Sequence, residues 1–98
     1  MIIFVDFDGT LHREHHSKFD LWTEPNERVV ERVRKHYNDG DEIVMYSCRS
    51  NPHICDKKDE DLMINWLNKH EVPFHRIERN KPYFDYIIDD RAIHPDSV

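Results

Sequence analysis

Asp6 and Asp8 stand two residues apart in the run Asp6-Phe7-Asp8-Gly9-Thr10, directly behind the apolar stretch Ile2-Ile3-Phe4-Val5. A second acidic pair, Asp89 and Asp90, follows Tyr86-Ile87-Ile88 in the same way. Carboxylates two apart on an extended chain point to one side. Crowding them raises their proton affinity unless a cation neutralises the charge. A hard divalent ion does so, and Mg²⁺ typically takes one or two carboxylates together with water and substrate phosphate. A carboxylate in that setting can attack phosphorus and form an aspartyl-phosphate. A second carboxyl can protonate the leaving alkoxide and later activate water. Ser47, behind Ile43-Val44-Met45-Tyr46, offers a hydroxyl, and Lys81 an ammonium, to hold phosphoryl oxygens as charge redistributes.

These groups need elements that bring them to one place. Residues 2–7 form a short apolar run rich in strand formers that ends in acidic residues and Gly9, which suits a strand buried on both faces. Residues 25–38 read as a helix, with Pro25 in its first turn, Gly40 just past its end, and Val29, Val30, Val33 and Tyr37 toward the core. Residues 42–47 read as a second buried strand and residues 59–70 as a second amphipathic helix, its face set by Met63, Trp66, Leu67 and His70. Two further strands are expected at residues 74–77 and 86–88. Strands alternating with helices imply a parallel sheet with right-handed crossovers. Ligands then sit beyond the carboxyl ends of the strands. Asp6, Asp8, Ser47, Asp89 and Asp90 all stand at such ends.

The same residues resemble the four motifs of the haloacid dehalogenase superfamily, in the family's order and across nearly the whole chain. Asp6 to Thr10 resembles its first motif, Ser47 its second, Lys81 its third and Asp89-Asp90 its fourth. Ser47-Cys48-Arg49, the stretch around Lys81 to Ala92 and the short length are similar to a minimal capless branch found in bacteria and phages. The resemblance implies a Rossmann-like three-layer α/β sandwich with strand order 3-2-1-4 and no cap domain. It implies an Mg²⁺-dependent phosphatase with Asp6 as nucleophile and metal ligand. Asp8 would be general acid/base and bind metal through its main-chain carbonyl. Ser47 and Lys81 would bind phosphate, Asp89 would ligate the metal directly, and Asp90 would support it. Arg49 would touch substrate or close the rim. Asp8 separates the superfamily's phosphatases from its dehalogenases, which lack the second aspartate.

The bulk properties set bounds on this expectation. Ninety-eight residues suit one domain, 1–98. A net charge of −6 gives no general attraction to nucleic acid or to anionic membrane. The expected partner is a phosphorylated small molecule, either a metabolite or a nucleotide. A nucleic-acid end is the alternative, because a capless site is open and Lys57, Lys58, Arg76 and Arg79 form a loose basic set. With two cysteines and an N-terminal apolar run too short for a membrane span, the chain is expected to be cytoplasmic. Cys48 lacks the phosphate loop of a cysteine phosphatase, and packing is its expected role. Residues 11–24 read as a polar flap. Within it, His12, His15 and His16 are read as solvated or in contact with the leaving group, and Phe19 and Trp22 as anchors. A receiver-type phospho-acceptor domain shares the residue types but places its acidic pair first. Here that pair comes last.

Overall fold

The computed structural model describes residues 1–14 and 23–98. Ile2–Val5 forms β1, Glu27–Asn38 α1, Glu42–Tyr46 β2, Lys57–Lys69 α2 and Arg76–Glu78 β3. The strands lie in the order β1-β2-β3, and both pairings are parallel. A helix joins each parallel strand to the next, as a Rossmann-like α/β fold requires.

The register decides which side chains reach the core. Ile3 pairs with Ile43, Val5 with Met45, and Met45 with Ile77, so these residues share one face of the sheet. Val29, Val30 and Val33 of α1 and Met63, Trp66 and Leu67 of α2 recur at helical spacing and pack on that face in a single cluster. Tyr37 is exposed instead and stacks on His75 at 5.0 Å, because it lies beyond the stripe that meets the sheet.

Helix ends follow local chemistry. The Asp56 side chain accepts from the Lys58 and Asp59 amides, and the Asp59 side chain accepts from the Asp56 amide. This capping box starts α2 two residues before the expected Asp59. Past α1, Gly40 has φ +90°, a conformation that side chains resist.

The expected fourth strand is not formed. Residues 86–88 carry no ladder, and Tyr86 is 92% exposed, so the described sheet stops at β1 and the order 3-2-1 is not extended to 4. Placed beside β1, this run would bring Asp89 and Asp90 next to Asp6 and Asp8, and like charges oppose that. Ile2 and Phe4 stay exposed on β1. The flap residues His15, His16, Lys18, Phe19 and Trp22 lie outside the described residues. No described helix is long and apolar enough to cross a membrane.

Candidate active site

Alternation along the chain beyond β1 sorts the first motif. Phe7 is fully buried, with its ring edge against Trp66 at 5.3 Å, while Asp6 and Asp8 on either side line a cavity of about 480 Å³. Gly9, at φ +76°, turns the chain back. The Thr10 and Leu11 amides donate to the Phe7 carbonyl, which brings the Thr10 hydroxyl to 3.2 Å from Asp6 Oδ2.

β2 delivers the second wall. Ser47 follows its last residue, 2% exposed, and caps the short 3-10 turn Cys48–Ser50 by accepting from the Arg49 amide at 3.2 Å. Its hydroxyl proton is not used in that bond. The turn aims Arg49 inward. Its Nε and Nη2 donate to Asp8 Oδ2 and Oδ1 at 2.7 and 2.9 Å, and the guanidinium lies 5.5 Å from the Phe7 ring centre.

Lys81 closes the third side, with Nζ donating to Asp6 Oδ1 at 2.9 Å and lying near the Tyr46 and Phe84 rings. Its backbone is pinned: the Asn51 side-chain amide donates to the Lys81 carbonyl at 2.9 Å, and the Cys48 thiol lies 3.8 Å from the same oxygen. Sequence reasoning missed Asn51. Only its place just after the Ser-Cys-Arg-Ser turn marked it as a local hydrogen-bonding residue.

Asp6, Asp8, Ser47, Arg49 and Lys81 therefore line one cavity, and Cys48, Ile54, Cys55, Asp59 and residues 82–85 complete it. Asp89 and Asp90 are exposed and do not line it, and the Asp89 side chain accepts from the Arg91 amide. His12, expected in the polar flap, is instead fully buried, with Nε2 3.1 Å from Asp8 Oδ1. Burial pushes the Asp8 carboxyl up, but the bonds from His12 and Arg49 outweigh it and hold Asp8 below the ordinary carboxylate range. Burial raises the Cys48 thiol, and the charges of Asp6 and Asp8 raise it further against the pull of Lys81. A thiol is not the nucleophile such a site would favour.

The loose basic set does not gather here. Arg76 pairs with Glu42 and Glu78, Arg79 with Glu60, and Lys57 with Asp61. Among the described residues no cluster of three or more His, Cys, Asp or Glu is placed to hold a metal ion.

Residues 1–92 match the sequence profile of a family described as the polynucleotide kinase PNKP phosphatase domain. The chain belongs to this family, within the haloacid dehalogenase superfamily. The haloacid dehalogenase fold is also that of a crystallised target protein from Vibrio cholerae, to which the chain is similar at 30% identity with a TM-score of 0.81. That match covers 97% of this chain and 84% of the other. Among curated proteins nothing matches. A phosphatase-domain family accords with the first-motif Asp8 that dehalogenases lack.

Proposed function

We propose that the protein is an Mg²⁺-dependent phosphomonoesterase that acts on the phosphorylated end of a nucleotide or polynucleotide through an aspartyl-phosphate on Asp6. The observation that carries this reading is the Lys81–Asp6 contact of 2.9 Å in a cavity that also holds Ser47 and Asp8. A nucleophile, two phosphate-binding groups and an acid/base thus face one space. Asp6 attacks phosphorus as the bond to the leaving oxygen breaks, and Asp8 gives that oxygen a proton. The incoming phosphate dianion adds like charge beside Asp8 and raises its proton affinity for this step. Asp8 then takes a proton from water as it attacks the acyl phosphate, which releases phosphate and regenerates Asp6. Ser47 and Lys81 hold the equatorial oxygens throughout.

The donors on the cavity wall fit Mg²⁺. They are oxygen atoms, and the Asp6 side chain is 38% exposed toward open space. Asp6 would hold the ion with its carboxylate and Asp8 with its main-chain carbonyl, since Arg49 and His12 occupy the Asp8 carboxylate. Asp89 and Asp90 would join from the adjoining segment. When bound, the ion neutralises phosphate charge.

The family match over residues 1–92 and the exposed Tyr83 and Phe84 at the cavity favour a nucleic-acid or nucleotide leaving group, because aromatic faces stack on bases. A small phosphorylated metabolite is the second reading. Asp59 and Asp85 at the same cavity favour it, since they repel a polyanion. Phosphate release from 3′- and 5′-phosphorylated oligonucleotides, mononucleotides and sugar phosphates, with Mg²⁺ or chelator, separates the two. Asp6→Asn is expected to reduce turnover to background. Undiminished turnover in that variant defeats the reading.

A further inference from the structure

His12 belongs to none of the motifs, yet its ring is the most enclosed polar group beside the cavity. It is 0% exposed, packed 4.7 Å from the Phe7 ring and 5.7 Å from Trp66. Its backbone bridges to both Asp8 and Pro25, so the ring is fixed from two directions. Among the described residues Nδ1 has no hydrogen-bond partner, and the ring's polar contact there is Nε2 to Asp8 Oδ1 at 3.1 Å. An ionised carboxylate only accepts hydrogen bonds, so Nε2 carries the proton and donates.

This contact makes the two oxygens of Asp8 unequal. Among the described residues Oδ1 accepts from both His12 Nε2 and Arg49 Nη2, whereas Oδ2 accepts from Arg49 Nε. We propose that His12 is a positioning residue for Asp8: it anchors Oδ1 and leaves Oδ2 as the oxygen that exchanges a proton with the leaving group. The inference rests on the acid/base role proposed for Asp8. A core residue chosen for packing alone would be apolar, since a buried ring nitrogen without a partner is costly. Among the described residues the Asp8 contact is what gives this ring a use for its polarity.

The test compares two small aryl substrates that differ in their need for a proton. Phenyl phosphate leaves as a strong base and needs the acid, whereas p-nitrophenyl phosphate leaves as a weak one. Asp8→Asn is expected to lower kcat/KM for phenyl phosphate by about 10²-fold more than for p-nitrophenyl phosphate. His12→Phe, which fills the same space without a donor, is expected to show the same bias at about 10-fold. His12→Gln, whose amide can donate, restores most of the phenyl phosphate rate. Should His12→Phe fail to fold, His12→Asn, too short to reach Asp8, takes its place. Equal losses on both substrates, or none, while Asp8→Asn keeps its bias, would overturn the role of His12 alone. An Asp8→Asn variant without bias overturns the acid/base reading and this inference with it.

Discussion

Arg49 grips the Asp8 carboxylate with two nitrogens, Nε at 2.7 Å from Oδ2 and Nη2 at 2.9 Å from Oδ1. The guanidinium is nearly out of solvent, at 6% side-chain exposure, and its fork matches the carboxylate. Lysine keeps the charge but offers no planar pair of donors. Arg49→Lys is therefore expected to lower kcat by about 10-fold or more, the size of effect that follows when an acid/base group loses its orientation. KM should change less. Steady-state kinetics, with circular dichroism to confirm folding, checks the split, and equal activity would mean that the paired bonds are dispensable.

Lys81 reaches Asp6 from a loop, so its backbone must be held. Asn51 holds it through the Lys81 carbonyl at 2.9 Å. Lys81→Ala is expected to cost about 10²–10³-fold in kcat, as removing a preorganised charge-stabilising group does. Asn51→Leu leaves that carbonyl with the Cys48 thiol at 3.8 Å and lets the loop shift. It is expected to cost a smaller factor, with a raised KM for phosphate esters. Phosphate-release kinetics on the two variants reads both effects, and an Asn51→Leu enzyme identical to wild type would show that the loop is held by other means.

Burial pushes the Asp8 carboxyl up, but His12 and Arg49 hold it below the ordinary carboxylate range. A depressed carboxyl contributes stability that is present above its unfolded pKa and lost as pH falls through the lower folded one. Asp8→Asn is thus expected to destabilise the metal-free protein by about 1–3 kcal/mol at neutral pH. The gap to wild type should stay flat above about pH 5 and close on acidification below the unfolded value. Urea melts in chelator across that range measure it. A gap that widens in acid would contradict the sign.

The first two strands were legible because each is an apolar run that stops at a polar residue, Val5 before Asp6 and Tyr46 before Ser47. Both readings overran the ladder, to residues 7 and 47, whereas the strands end at Val5 and Tyr46. Arg49 was legible as a rim residue but not as a partner of Asp8, because the bond joins residues 41 apart in sequence and depends on the turn after β2. His12 was read as flap because its neighbours Arg13 and Glu14 are polar. Its burial comes from long-range packing on Trp66, which no local pattern carries. The expected strand at residues 86–88 shows the converse: an apolar run and an acidic pair do not by themselves secure a ladder.

That segment supplies a prediction about metal removal. Tyr86, Ile87 and Ile88 are exposed, and so are Ile2 and Phe4 on β1, whose outer edge bears no described strand. Two apolar surfaces left in water favour burial against each other, at about 25 cal/mol for each Å² covered. An unpaired edge also offers ladder groups to an incoming strand. Docking would bring Asp89 and Asp90 beside Asp6 and Asp8, and their like charges would oppose it. A bound divalent cation removes that repulsion. Mg²⁺ is therefore expected to slow amide hydrogen exchange in residues 86–90 and in β1, and chelator to reverse the protection together with activity. Asp89→Asn should weaken both the protection and the Mg²⁺ affinity, whereas Ile88→Asp should block the protection by adding charge to the docking face. Exchange rates that ignore Mg²⁺ while turnover depends on it would show that the ion is held by Asp6 and Asp8 without this segment.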